Sequence, residues 1–166
     1  MRAKNFRKTD SMPYTRKEFI KGIPQPRITK FTMGNPEGDF DAKLELISLG
    51  DAHISHNALE AARIATNRVL ERTFGRENFY FKILPYPHNV IRHHKRLAVA
   101  QADRFQEGMK KAYGKPYGTA ARVRKGQILI EVGVDKVGIE TAKEALRRAA
   151  AKFPVPCRIS STEVGR

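Results

Sequence analysis

The chain has 166 residues, of which 40% are hydrophobic, and a formal net charge of +15 at pH 7. Its length and apolar content predict a single globular domain over residues 1–166. A compact body with this charge repels itself, so we expect a polyanionic partner, and nucleic acid is the usual one. The apolar runs are shorter than the ~18 residues of a membrane span, which argues against a membrane protein.

The N-terminus and the cysteine content indicate a cytoplasmic protein. The charged start MRAKNFRKTD is followed by no apolar segment, so it is not expected to be a secretory signal. Cys157 is the single cysteine, which excludes an internal disulfide and fits a reducing compartment.

The excess charge is concentrated in two segments. Residues 1–30 contain nine Lys or Arg and two acids, and residues 93–128 again contain nine and two. Residues 31–92 contain seven Lys or Arg and eight acids, and residues 129–166 contain seven Lys or Arg and five acids. This distribution is typical of a nearly neutral scaffold that carries two basic segments for binding nucleic acid.

In chain order, the first predicted feature is a basic extended arm over residues 1–26. This segment is polar and is interrupted by three prolines, which disfavour regular structure. Alternating, aromatic or β-branched runs then predict strands at 27–33, 42–49, 79–84, 88–92, 119–124, 127–134 and 158–160.

Two helices are predicted among these strands. The first runs from a cap at Ser55 or Asn57 to Phe74 and ends at Gly75, and the second runs over 138–153, where a proline ends it. The helix positions predicted to be buried are Leu59, Ala62, Ile64, Ala65, Val69, Leu70, Ile139, Ala142, Leu146 and Ala149. This element order indicates an α+β fold, a two-layer sandwich of mixed or antiparallel strands with two helices.

A long basic internal loop is predicted over residues 93–118, which contain most of the stretch GMKKAYGKPYGT at 108–119. Its glycines and proline oppose a regular helix, and a loop of this length inside a compact domain indicates a function. An amphipathic helix over 97–109, or a shorter helical turn, is the alternative for part of it.

No catalytic, metal or cofactor site is predicted. The run from Gly114 to Thr119 lacks the spacing of a phosphate-binding loop, since no lysine precedes the threonine. His88, His93 and His94 do not supply the paired ligands of a structural zinc site. Because no nucleophile, base and orienting group stand out together, we expect a binding protein and not an enzyme.

The basic segments contain the residue types that bind RNA. Lys and Arg contact phosphates, and Arg also stacks on bases or hydrogen bonds to their edges. Tyr113 and Tyr117 offer flat faces for unpaired bases, which are common targets in RNA recognition. The sequence has no helix-turn-helix, finger or basic-zipper spacing, and this favours RNA over DNA.

Several runs resemble one family of ribosomal proteins. The most specific are ADRFQEGMK at 102–110 and GKPYGTAARV at 114–123, and further matches are GIPQPRI at 22–28, LEAARIATN at 59–67 and EALRRA at 144–149. These runs resemble the L ten-e family of the large subunit in archaea and eukaryotes, the counterpart of bacterial L sixteen. The matches extend from the arm to the second helix.

The resemblance implies an α+β sandwich of the hammerhead type that binds large-subunit rRNA beside neighbouring ribosomal proteins. It implies that the part of the loop at 99–111 lies near the tRNA acceptor arms in the peptidyl-transferase region, where the rRNA performs the chemistry. It also implies that the protein joins the subunit late in maturation. Eukaryotic members have a long C-terminal extension, so a chain ending at Arg166 is expected to be of the archaeal type.

The predicted contacts with RNA are the basic residues of the two segments. They are Arg2, Lys4, Arg7, Lys8, Arg16, Lys17, Lys21, Arg92, Lys95, Arg96, Arg104, Lys110, Lys111, Lys115, Arg122 and Arg124. On the resemblance alone, the part of the loop near tRNA is predicted to be Gln101, Asp103, Arg104, Phe105 and Met109. No cofactor, no membrane partner and no homo-oligomer are expected.

Two other functional classes are open at this stage. A free RNA-processing enzyme or tRNA-binding factor would bring titratable groups together in a pocket. A membrane-surface protein would need a basic helix with a bulky apolar face, and neither predicted helix has one.

Overall fold

The computed structural model describes residues 3–94 and 113–163. The elements in chain order are β1 (Thr32–Gly34), β2 (Ala42–Ser48), β3 (Ala52–Ser55), α1 (His56–Phe74), β4 (Tyr80–Ile83), β5 (Asn89–His93), β6 (Lys115–Val123), β7 (Ile128–Val134), α2 (Ile139–Ala150) and β8 (Cys157–Glu163). The predicted α+β class with two helices is confirmed, and every described strand pair is antiparallel.

Five strands form one sheet in the order β1-β4-β7-β2-β8. Its inner strand β2 alternates buried and half-buried residues, as expected for a strand with one face against the core. Phe81, Val132 and Leu44 lie side by side on β4, β7 and β2, and all three are fully buried. Helix α2 packs on β2, β7 and β8, and α1 packs on α2. The helices therefore form the second layer of the sandwich.

The remaining strands form a second sheet in the order β3-β6-β5. Ile54 lies opposite Ala121 in this sheet, and both belong to the hydrophobic core that also includes the five-stranded sheet. The next pair along the strands is His53 and Arg122, which point to the opposite face because successive residues of a strand alternate. This opposite face, called the outer face below, is where the N-terminal arm lies.

The ends of α1 follow the sequence prediction. Ser55 is the N-cap, and its side chain accepts the Ala58 N–H at 3.3 Å, which satisfies one of the free donors of the first turn. Gly75 follows the last turn with a φ of 78°, a conformation that glycine adopts without strain.

The buried stripe of α1 is narrower than predicted. Leu59, Ala62 and Leu70 are fully buried, as is Thr66, whereas Ile64 is 51% exposed. The buried positions are spaced by three and four residues along one line of the helix, and Ile64 lies off this line. The prediction that Ile64 is buried was therefore wrong. Of the other predicted positions, Ala142, Leu146 and Ala149 are buried, and Ala65, Val69 and Ile139 are half-buried.

Some predicted element boundaries need correction. Strand β1 is shorter than the predicted 27–33, and β3 has no predicted counterpart, because its four residues merge with the cap of α1. Helix α2 ends at Ala150 and not at 153. Strand β6 begins at Lys115 and β5 includes His93, so the predicted loop over 93–118 was wrong at both ends.

Two glycines at the start of β6 are required by close contacts. Gly114 has a φ of +77°, and a Cβ on it would lie 2.3 Å from the carbonyl carbon of His93. A Cβ on Gly118 would lie 2.8 Å from Nε2 of His56. Both distances are shorter than van der Waals contact, so these glycines let β6 approach β5 and the start of α1.

The described residues of the arm, 3–26, contain two short 3-10 turns, at Ala3–Asn5 and Lys17–Phe19, and otherwise no helix or strand. Ile20 is only 6% exposed and anchors the arm to the body. The arm thus contributes little regular structure but is in contact with the folded part of the chain.

Candidate RNA interface

Hydrogen bonds hold the arm on the outer face of the three-stranded sheet. The Val90 N–H donates to the Tyr14 carbonyl oxygen at 2.9 Å, and the Tyr14 N–H donates to Asn89 Oδ1 at 2.8 Å. The Arg122 guanidinium donates to the Thr9 carbonyl oxygen. These bonds fix the backbone of the arm, so its exposed side chains have defined positions relative to the body.

Two buried histidines lie where the N-terminal part of the chain meets the body, His53 beside the arm and His56 beside Arg27, the first residue after the arm. His56 is 7% exposed, and its Nδ1 accepts the Arg27 N–H at 3.0 Å, a bond that needs an unprotonated nitrogen. Burial lowers the pKa of His56, and the nearby charge of Arg27 lowers it further. Burial is also the main cause of the lowered pKa of His53, although a backbone hydrogen bond with Lys8 acts in the opposite direction. Both imidazoles are therefore neutral at pH 7.

The predicted RNA contacts of the arm contribute positive charge to its exposed surface, which is called the cationic surface below. Within the described part of the chain, the exposed cations without a carboxylate partner include Arg7, Lys8, Arg16, Lys17 and Lys21. An exposed cation that has no partner in its own protein is available for a phosphate. The arm therefore presents exposed cations on a backbone that is hydrogen bonded to the body, and their contact with phosphates stays a prediction.

Arg92, another predicted contact, is exposed at the end of β5. Its Nε donates to the Gly114 carbonyl oxygen at 3.0 Å, and its guanidinium carbon lies 5.1 Å from the centroid of the Tyr14 ring. This is a cation–π distance. Arg92 thus connects the arm to the start of β6, and its remaining N–H groups stay available to a ligand.

Arg122 and Arg124 differ in their surroundings. Arg122 is half-buried and bound to the arm through Thr9, so the structure gives it an internal role that the sequence did not indicate. Arg124 is exposed beyond the end of β6. Contact of either residue with RNA stays a prediction.

The start of β6 and the residues just before it contribute an exposed lysine and two exposed tyrosines. Lys115 is exposed and lies opposite His93. Tyr113 is 87% exposed and Tyr117 is 42% exposed, and the Tyr117 ring meets the His93 ring edge-on at a centroid distance of 5.4 Å. Both tyrosines predicted to face unpaired bases therefore have accessible rings.

Other predicted contacts lie outside the described residues and stay predictions. They are Arg2, Lys95, Arg96, Gln101, Asp103, Arg104, Phe105, Met109, Lys110 and Lys111. Lys4 lies within the first 3-10 turn, and its contact with RNA also stays a prediction.

In the part of the chain that the structure describes, neither a group of metal ligands nor a reactive cysteine is found. Within residues 3–94 and 113–163, no group of three His, Cys, Asp or Glu is arranged to hold a metal ion. Cys157 is half-buried, and burial raises the pKa of its thiol, which disfavours the reactive thiolate. No helix in these same ranges is both long and apolar enough to cross a membrane.

Three residues of the interface were not predicted. Tyr14, His53 and Asn89 connect the arm to the outer face, but they are far apart in the sequence. One signal was available, because a histidine or asparagine inside an apolar strand pattern needs a partner once it is buried. The identity of that partner depends on the tertiary structure.

An α+β body with a cationic arm bound to one face of a sheet is the arrangement that the charge distribution predicts for a structural protein that binds nucleic acid. A sequence profile described as Ribosomal protein L16p/L10e matches residues 9–160. Since this match covers most of the chain, the chain belongs to the L16p/L10e family of ribosomal proteins. It is a structural, non-enzymatic constituent of the large ribosomal subunit, located in the cytoplasmic ribosome.

Curated relatives support this assignment. The chain is 56% identical to the large ribosomal subunit protein uL16 of Staphylothermus marinus over 147 residues, which are 89% of this chain and 84% of that protein. It is 53% identical to the uL16 of Saccharolobus islandicus (strain L.S.2.15) over 148 residues, 88% of this chain and 83% of that protein. It is 44% identical to the uL16 of Methanococcus maripaludis (strain C7) over 161 residues, which are 97% of this chain and 93% of that protein. The predicted archaeal type is confirmed, and the alternative of an RNA-processing enzyme was wrong.

Proposed function

We propose that the arm binds large-subunit rRNA through its exposed cations and that the three-stranded sheet positions it for this contact. The observation that carries the proposal is the set of exposed cations without carboxylate partners among the described residues, on an arm whose backbone is hydrogen bonded to the outer face. A fixed arm loses less conformational freedom on binding than a free tail, so more of its interaction energy contributes to affinity.

The segment 95–112 continues this function toward the tRNA. The sequence of this segment is rich in Lys and Arg, and the resemblance of its residues 99–111 to the family supports a position near the tRNA acceptor arms in the peptidyl-transferase region. Its contribution there would be to position RNA, since the rRNA performs the chemistry. In the same proposal the protein joins the subunit late in maturation, contacts neighbouring ribosomal proteins and forms no homo-oligomer.

A comparison of two charge-matched variants tests the role of the arm. The arm variant is Arg16→Gln, Lys17→Gln and Lys21→Gln, and all three residues are exposed. The control variant is Arg76→Gln, Lys143→Gln and Arg148→Gln, whose cations form ion pairs on the body. Both variants lose the same charge, so only its location differs.

The measurement is co-sedimentation of the tagged protein with large subunits over a salt series. Each arm cation that contacts a phosphate contributes ~0.7–0.9 to the slope of log affinity against log salt. The arm variant is therefore expected to lose about two units of slope, whereas the control keeps the slope of the unmodified protein. Equal slopes for the two variants would contradict the proposal, because the total charge would then decide binding.

A second variant tests the internal segment. Deletion of residues 101–111 is expected to leave the protein incorporated in large subunits, because the arm is intact, but to reduce peptide synthesis by those subunits. Full peptide synthesis by subunits that contain the deleted protein at one copy each would refute the role near tRNA and leave the role of the arm untouched.

A further inference from the structure

A cavity of about 650 Å³ lies between the arm and the outer face of the three-stranded sheet. Arm residues from Asn5 to Tyr14 line one side, and residues of β3 and β5 together with Tyr113 line the other. Binding pockets for small ligands commonly measure about 300–1,000 Å³, so this cavity has room for one nucleotide. The residues substituted in the arm variant, Arg16, Lys17 and Lys21, do not line this cavity.

The walls of the cavity combine aromatic rings with cations. Phe6, Tyr14 and Tyr113 line it together with Arg7 and Arg92, and no carboxylate occurs among its described lining residues. Tyr113 has most of its ring surface in solvent. Aromatic faces and guanidinium groups stack on unpaired bases, and guanidinium groups also bind phosphates. The absence of carboxylates from this lining keeps it free of repulsion toward an anion.

Two buried polar side chains, Asn89 and His53, also line the cavity, with 9% and 6% of their surfaces exposed. Asn89 Oδ1 already accepts the Tyr14 N–H. Asn89 Nδ2 lies 3.4 Å from His53 Nδ1, which is a long contact, and an amide nitrogen has two hydrogens to donate. Asn89 can therefore donate to a carbonyl oxygen or ring nitrogen of a base. Since His53 is neutral, this part of the cavity suits an uncharged base.

We propose that the cavity binds one unpaired RNA nucleotide, with its base against the aromatic walls and Asn89 and its phosphate at Arg7. This proposal rests on the proposed rRNA binding and names a specific site within it. A free mononucleotide shares the chemistry, but RNA is favoured because the exposed residues Arg7 and Lys8 continue the cationic surface along the arm. Phosphates of the neighbouring nucleotides would lie on that surface.

The test measures binding of the full-length protein to a labelled single-stranded oligoadenylate and to a short RNA duplex by fluorescence anisotropy. Tyr113→Ala is expected to weaken binding of the single strand about tenfold, because one base loses its stacking partner. Binding of the duplex, whose bases are not available, should change by less than about twofold. Arg7→Ala is expected to lower the salt slope for the single strand by ~0.7.

Lys21→Ala is the matched control, since Lys21 is an exposed cation of the same arm outside the cavity. This substitution is expected to weaken binding of the single strand and of the duplex equally. Because Tyr113 is exposed and Lys21 is too, neither substitution should change the thermal unfolding midpoint. The nucleotide site would be overturned if the Tyr113→Ala variant binds both RNAs as tightly as the unmodified protein does. It would also be overturned if the substitution weakens binding of both RNAs equally.

Two further outcomes separate the sources of failure. Saturable binding of adenosine monophosphate that is tighter than binding of the oligoadenylate would overturn the RNA assignment in favour of a free nucleotide. If the unmodified protein binds neither RNA and does not co-sediment with large subunits, the proposed function itself fails. If it co-sediments normally while Tyr113→Ala keeps the full preference for the single strand, the nucleotide site alone is refuted.

Discussion

The body of the molecule and its arm differ in how their positive charges are paired. On the five-stranded sheet, Lys43 Nζ lies 3.0 Å from Glu45 and 3.1 Å from Glu131, and these two hydrogen bonds raise the pKa of Lys43. On α1, Arg63 pairs with Glu60 at 2.7 Å. Some cations of the body are thus paired within the protein, among them Lys43 and Arg63.

In the arm, Arg16, Lys17 and Lys21 have no such carboxylate partners within the described part of the chain. Arg16, Lys17 and Lys21 are exposed, and their mutual repulsion opposes a compact state in the absence of a polyanion. The arm stays on the body through backbone and buried side-chain hydrogen bonds instead. Under the proposed function the two regions have separate tasks, since the packed body provides stability and the arm provides affinity for RNA.

The largest expected effect comes from the core of the body. Phe81 is fully buried on β4, and Phe81→Ala should lower the free energy of unfolding by about 3–5 kcal/mol because it removes buried surface and leaves a cavity. Urea unfolding measures this loss. If the two regions are separable, the folded fraction of the variant should keep the salt slope of RNA binding. A changed salt slope would mean that the body and the arm are not separable.

The body was also the part that the sequence predicted best. The apolar spacing from Leu59 to Leu70 and the cap and stop residues located α1, and alternation located β2, because helix and strand periods are local properties. The strand β6 was placed too late, since Pro116 and its flanking glycines are typical of a loop. In the structure these glycines permit close packing against His93 and His56.

The arm and the candidate site were predicted less completely. The charge distribution identified the arm as a binding segment, but it did not indicate that Tyr14 bonds to Asn89 or that Arg122 bonds to Thr9. Such contacts join residues that are 75 and 113 positions apart, and no local pattern encodes them. The cavity was missed for the same reason, because the arm and the sheet form it jointly.

A moderate effect is expected at the junction of the two regions, where His56 binds the backbone of Arg27. The pKa of His56 is lowered in the folded state, while in the unfolded chain it is about 6.5. Below that pH the unfolded state therefore binds more protons than the folded state. The contribution of His56 to the free energy of unfolding is fully present above about pH 6.5 and falls as the pH is lowered. The slope is at most ~1.4 kcal/mol per pH unit for each histidine.

The control for this prediction is His56→Asn, because the asparagine oxygen can accept the Arg27 N–H but does not titrate. Thermal unfolding between about pH 5.5 and pH 7.5, below and above the ordinary histidine pKa, should show a smaller pH dependence for this variant. His53, whose pKa is also lowered, should account for part of the remainder. An unchanged pH dependence in His56→Asn would exclude His56 as a cause and weaken its role as the junction.

The smallest effect is expected for the ion pairs of the body. Arg148 pairs with Glu144 on α2, and both side chains are more than half exposed. Exposed pairs of this kind contribute about 0–1 kcal/mol, so Arg148→Gln should change the free energy of unfolding by less than about 0.5 kcal/mol and leave RNA binding unaltered. Urea unfolding and the co-sedimentation series measure the two quantities. A loss of RNA affinity as large as that of Lys21→Ala would mean that cations of α2 also contact RNA, and the arm would no longer be distinguished from the body by its affinity for RNA.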